Sequence, residues 1–171
     1  EFYIEMKKVG IIMGSKSDLP IAEKAVNVLK SFKIPYEVHV YSAHRTPEQA
    51  KEFAQKAREN GFGVIIAAAG MAAHLAGAIA ANTTLPVIGI PCGSQNLGGI
   101  DALLSTVQMP SGIPVATVAV NGGANAALLS AQILALEDGG LAEKLDTKRK
   151  LDSENVLKND AEIFSQFAAD I

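Results

Sequence analysis

The chain has 171 residues, a length that suits one domain. With 49% hydrophobic and 19% charged residues, 15 Gly and 7 Pro, it is too apolar for a disordered chain and large enough to fold without disulfides. A formal net charge of −3 leaves no global basic surface, which excludes a general nucleic-acid binder but leaves room for a local positive pocket that takes a small anion.

Residues 1–6 lack the charge-then-apolar order of a signal peptide and are read as a tail outside the fold. The first strand is Val9-Gly10-Ile11-Ile12-Met13, a continuous apolar run after Lys7-Lys8. Ala22, Ala25, Val26 and Leu29 follow at helical spacing, with Pro20 in the first turn of that helix. A second strand runs from Tyr36 to Tyr41. Thr46-Pro47-Glu48-Gln49 predicts a helix start with Thr46 as N-cap and Gln49 closing a capping box. Ala50, Phe53, Ala54 and Ala57 form the buried stripe of that helix, and Gly61 its C-terminal cap. A third strand spans 63–69 and a helix begins near Ala72. Residues 86–90 form the fourth strand, 100–107 a short helix, 115–120 the fifth strand and 124–136 another helix.

Apolar strands that alternate with helices predict a parallel sheet covered on both faces. The expected fold class is therefore α/β: a three-layer αβα, doubly wound, five-stranded parallel sheet of flavodoxin-like order 2-1-3-4-5. Residues 7–158 make one domain, and 159–171 a C-terminal extension. Leu141, Leu145, Leu151 and Leu157 lie scattered among the charges of 144–158, so the last helix reads as a solvated or oligomer-facing arm rather than core. Gly63 to Ala81 is long and apolar enough to raise a membrane span. Its β-branched start and Ala/Gly-rich remainder instead read as a buried strand followed by a packed helix. The single cysteine, Cys92, has no internal disulfide partner and points to a reducing cytoplasm.

Ligands bind beyond the carboxyl ends of strands in such sheets. Three of those ends carry unusual polar sequences: Gly14-Ser15-Lys16-Ser17-Asp18, Ser42-Ala43-His44-Arg45-Thr46 and Gly70-Met71-Ala72-Ala73-His74. The first loop meets a helix start, which favours an anion such as phosphate; its plain alternative is that Ser17 or Asp18 caps the helix. It lacks the P-loop pattern. In the second, His44 can give and take a proton near neutrality, and Arg45 holds a permanent charge suited to phosphate or carboxylate. The alternative for this pair is an exposed histidine beside a surface arginine. His74 on its own reads as a buried histidine satisfied by backbone, and His39, alternating with valines, as structural. The histidines have no companions at metal spacing. Cys92 has no base beside it in sequence and reads as a bystander thiol.

Taken together, these loops, Ser105-Thr106-Val107-Gln108-Met109-Pro110-Ser111-Gly112-Ile113-Pro114 and Asn125-Ala126-Ala127-Leu128 resemble, in order, the signature segments of the phosphoribosylaminoimidazole carboxylase catalytic subunit family over residues 8–158. Met71 and Ala76 stand where that family usually carries Gly and Pro. The wording Ala72-Ala73-His74-Leu75 resembles the mutase type. Members of that type move a carboxylate from the exocyclic amine of a phosphoribosyl-imidazole to ring carbon 4, without cofactor or metal. The other type carboxylates the aminoimidazole directly with CO2.

The resemblance implies a small-molecule phosphoribosyl-imidazole substrate, CO2 as a retained intermediate and a homo-octamer, with no nucleic acid or membrane partner. It assigns His44 as general acid then base, and Ser15, Ser17, Asp18 and Arg45 to the ribose-phosphate end, with Ser42 and Ala43 beside them. Small apolar residues Ala69, Gly70, Ala72, Ala73 and Leu75 wall a pocket that confines the gas, with His74 as a second candidate nearby. Two other classes share the fold. A flavin carrier would want aromatic residues around the flavin, and only 5% of the chain is aromatic. A receiver domain needs an acceptor aspartate after the third strand, where Ala69-Gly70 stands.

Overall fold

The computed structural model describes residues 6–168, which divide into two compact units, one ending at Leu134 and one beginning at Ala135. The tail assigned to 1–6 lies outside the described residues except for Met6, as do the last three residues of the C-terminal extension.

The first unit is the α/β sandwich. Its strands are β1 (Lys8–Met13), β2 (Tyr36–Val40), β3 (Phe62–Gly70), β4 (Val87–Cys92) and β5 (Ala116–Thr117). They pair in parallel in the order β2-β1-β3-β4-β5, as the sequence predicts. Every residue of β4 and all but the first of β1 is buried, the pattern of strands covered on both faces. The helices are α1 (Leu19–Phe32), α2 (Pro47–Lys56), α3 (Leu75–Ala80), α4 (Ile100–Val107) and α5 (Gly123–Leu134). α1 packs on α5, while α3 packs on α2 and α4. The α1–α5 approach requires a residue without a side chain, because a Cβ on Gly123 would strike the Ile21 carbonyl. Beneath α2 and α3, Ile12, Ile65, Ala67 and Val87 of the sheet meet Ala50, Ala54, Leu75, Ala76 and Ile79. Ala-rich helix faces let the layers sit close, and burial of the Ile and Val side chains stabilises the fold by about 1.5–3 kcal/mol each.

Several boundaries differ from expectation. β5 has two residues rather than six. Its ladder with β4 stops after Gly89↔Thr117, and β4 soon reaches Pro91, which has no N–H to donate. Thr46 precedes α2, but its hydroxyl makes no cap bond, so the expected capping box does not form. Gly61, at φ 81°, lies beyond the end of α2 and closes the turn into β3 rather than capping the helix directly. The apolar stretch from Gly63 to Ala81 is β3 followed by α3, which has six residues. No helix among the described residues is long and apolar enough to cross a membrane.

The second unit is dominated by α6 (Gly139–Ala168), a 30-residue helix. Asp138 begins it by accepting the Leu141 N–H at 2.9 Å. The helix runs without a break past residue 158, and Leu141 is its only buried residue. Leu151, Val156, Leu157, Ile163, Phe164 and Phe167 are exposed along it.

Candidate active site

A cleft of about 560 Å³ opens beyond the carboxyl ends of β1, β2, β3 and β4. It lies where the strand order reverses between β1 and β3, the place such sheets reserve for ligands. In register, Met13 of β1 sits beside Val40 and Ala68, and Gly70 of β3 beside Cys92, so four loops emerge at one level.

The floor is the turn after β1. Ser15 begins a single 3-10 turn over Lys16–Asp18, and its Oγ accepts from the Ser17 N–H at 3.3 Å and the Ser17 hydroxyl at 2.9 Å. Ser15 thus caps the 3-10 turn, while Asp18 occupies the N-cap position of α1 without a side-chain cap bond. Burial pushes the Asp18 carboxyl above its ordinary range, opposed by hydrogen bonds from the Ser15 backbone and the Cys92 thiol. Cys92, 2% exposed, has its thiol pushed up to about 12, first by burial and then by the neighbouring Asp18 charge. It is therefore a protonated donor, not a nucleophile.

One wall is the loop after β2, tied by short-range hydrogen bonds. The backbone N–H groups of His44 and Arg45 both donate to Ser42 Oγ, at 3.3 and 3.2 Å. Thr46 Oγ1 accepts from the Ser42 N–H at 2.8 Å and donates to the Ser42 carbonyl at 3.2 Å. This explains the missing helix cap, since the hydroxyl is engaged one turn earlier. Arg45 Nη2 reaches across to donate to the Gly14 carbonyl at 3.0 Å, linking this wall to the floor. His44 and Arg45 are exposed at the rim.

The opposite wall is apolar: Ala69, Gly70, Met71, Ala72 and Leu75. Its loop is held mainly by backbone bonds, Ala73 N–H to Met71 carbonyl at 2.8 Å and His74 N–H to Ala72 carbonyl at 2.9 Å, with Thr106 Oγ1 donating to the Ala73 carbonyl from below. Met71 has φ 57°, in the left-handed region.

The cleft therefore gathers Ser15, Ser17, Asp18, Ser42, Ala43, His44, Arg45, Ala69, Gly70, Ala72 and Leu75. Ala73 and His74 are not in its lining. Ala73 is buried below the loop, where its carbonyl accepts from Thr106 Oγ1 at 3.2 Å. His74 is exposed, contrary to the expectation of a buried histidine, and its ring lies over Gly77, where any Cβ would collide with it. α3 begins at Leu75, three residues later than predicted, and each residue of delay turns a helix face by about 100°. Gly93 and Ser94 line the cleft and were missed. Their signal is position alone, directly after a strand end. His39 lies away from the cleft, stacked on Tyr41 at 5.1 Å and beside Phe53. Among the described residues no group of three or more His, Cys, Asp or Glu could hold a metal ion.

A parallel sheet with a hydroxyl-bearing turn, an imidazole–guanidinium rim and an apolar wall at its switch point defines an α/β protein with its ligand cleft at the carboxyl edge of the sheet. Residues 8–155 match the profile of the AIR carboxylase family, and the chain belongs to that family. It is 56% identical over 153 residues to the N5-carboxyaminoimidazole ribonucleotide mutase of Pyrococcus horikoshii, covering 86% of each chain. To the mutase of Bacillus subtilis it is 54% identical, over 88% of this chain and 94% of the relative. The crystal structure of Treponema denticola PurE matches with a TM-score of 0.83 at 31% identity, over 91% of this chain and 97% of that one.

Proposed function

We propose that this cleft performs the N5-carboxyaminoimidazole ribonucleotide mutase reaction, with His44 carrying the proton. The observation that carries the reading is a single cleft lined by His44 and Arg45, by the small apolar residues after β3 and by the hydroxyl-bearing turn after β1. The phosphate meets the turn at Ser15 and Ser17 and the Arg45 guanidinium, and Asp18 accepts from ribose hydroxyls. The imidazole ring of the substrate then lies between His44 and the Ala69–Ala72 wall.

The chemistry needs one proton-transfer group twice, first as donor and then as acceptor. Protonated His44 gives its proton to the exocyclic nitrogen; the N–C bond breaks, its electron pair stays on nitrogen, and CO2 leaves as a neutral molecule. The enamine carbon 4 of the ring attacks that CO2 and forms the C–C bond. The hydrogen that carbon 4 carried from the start, distinct from the one first given to nitrogen, then passes as a proton to neutral His44 and aromaticity is restored. Atoms and charge balance, and the net change is an isomerisation. CO2 offers no charge to hold, so small apolar side chains must confine it and keep water away.

The same reading places the enzyme in the cytoplasm as a homo-octamer. Exposed apolar side chains support assembly: Leu97, Ile100, Leu104 and Val107 on and before α4, and Phe164 and Phe167 on α6. A chain truncated before Glu137 is expected to lose the octamer in sedimentation; an intact octamer would remove α6 from the interface.

The deciding assay offers the purified enzyme the carboxyamino ribonucleotide in one vessel and the aminoimidazole ribonucleotide with bicarbonate in another. Turnover of the first substrate is expected to dominate. Preferential use of the second would make the chain a direct carboxylase.

A further inference from the structure

We propose that Met71 is the movable apolar cover of the cleft, the side chain that decides whether released CO2 is recaptured or lost. The inference rests on the mutase reading above and extends it to a residue with no assigned role.

Three observations converge on it. Met71 lines the cleft, within the Ala69–Ala72 wall, in the same cavity as His44. In the single chain the residue is 62% exposed, so packing within its own core does not account for a large apolar group at this position. Its backbone sits at φ 57°, a conformation that costs an L-residue free energy and costs glycine none. A residue kept strained and exposed at the mouth of a cleft points to function rather than stability.

The surroundings say which function. The polar rim, His44 and Arg45, is open to solvent, and the apolar wall is made of side chains too short to span the mouth. Methionine is unbranched, with three rotatable bonds and a polarizable thioether, and it adapts to irregular apolar surfaces. From this position the chain can fold down over the substrate ring once the phosphate is seated. The left-handed backbone sets the direction from which it does so. It makes no bond to the reacting atoms, so it is a positioning residue.

The test measures partition. Enzyme is given the carboxyamino substrate, and the decarboxylated amine released is divided by the carboxylated product formed, after subtracting spontaneous loss from free substrate. Met71→Gly relaxes the backbone and removes the cover. It should raise that ratio about tenfold, the low end of what one missing apolar group costs a pocket. Met71→Leu, of similar volume, should stay within about twofold of the parent. His44→Asn is run beside them. If Met71→Gly partitions like the parent while His44→Asn has lost turnover, Met71 is not the cover and the mutase reading stands. If the parent enzyme forms no carboxylated product from the carboxyamino substrate, the mutase reading fails and this inference falls with it. Both glycine and leucine variants leaking equally would show that the side chain's shape plays no part, and would also overturn the proposal.

Discussion

The two walls of the cleft are built by opposite means. The wall after β2 is polar and tied by side-chain hydrogen bonds, with Ser42 Oγ gathering two backbone N–H groups and Thr46 Oγ1 clasping Ser42 from both sides. The wall after β3 is apolar and held by two tight backbone turns, with one residue in the left-handed region. The first is rigid because each bond fixes a direction, which a proton-transfer group requires. The second is smooth because small side chains present no polar atoms, which a neutral gas requires. Acid–base work and confinement are thus divided between walls, and substitutions on each should fail differently.

The largest effect is expected at His44. His44→Asn keeps polarity and approximate size but removes the titrating ring, and turnover should fall on the order of 10²–10⁴ with substrate binding preserved. Steady-state kinetics with a separate binding measurement would decide it; near-normal turnover would remove His44 from the reaction. Next comes Thr46→Val, which deletes both bonds to Ser42 while keeping the shape. Loss of orientation should lower kcat about 10–100-fold with a smaller change in KM, and Thr46→Ser should restore most of it. If valine and serine behave alike, the hydroxyl does not orient the wall. Smaller again is Arg45→Lys. A point charge replaces a fork that already spends one arm on the Gly14 carbonyl, so affinity should fall about tenfold, the value of one charge-assisted hydrogen bond. Unchanged affinity in a titration would contradict a phosphate role.

The contrast between walls also explains what the sequence made legible. Strands appear as Val/Ile runs and helices as Ala stripes, so the sheet order and the edge carrying the site follow from pattern. The polar wall is legible too, because Ser, His, Arg and Thr each advertise a chemistry. Its internal bonding is less so. Thr46-Pro47-Glu48-Gln49 has the spacing of a capping box, yet the hydroxyl takes the nearer backbone partner. The apolar wall is nearly silent. Nothing in Gly70-Met71-Ala72-Ala73-His74 announces a left-handed methionine, and the two tight turns that follow it delay α3 and turn His74 outward. Gly93 and Ser94 were within reach: applying the strand-end rule to β4 as well as to the first three strands identifies them.

The smallest effect is on stability, at the floor that joins the walls. Asp18 is the one acidic group among the cleft residues, and burial raises its pKa from the ordinary 3.8. A carboxyl whose pKa is raised on folding contributes stability that is fully present below 3.8 and is lost as pH rises through the folded value. Above that folded value the ligand-free protein therefore carries an ionised group that burial disfavours. Asp18→Asn, which resembles the protonated acid in shape and polarity, should raise the melting temperature of the ligand-free enzyme at pH 7. That gain should shrink to nothing as the pH is lowered below 3.8. The same variant should bind substrate more weakly, because an amide accepts ribose hydroxyls less well than a carboxylate. A protein that becomes more stable and less competent by one substitution has kept a costly charge for its ligand. Should the asparagine variant instead melt lower at pH 7, the carboxylate is a structural support for the turn, and its place in substrate recognition would have to be given up.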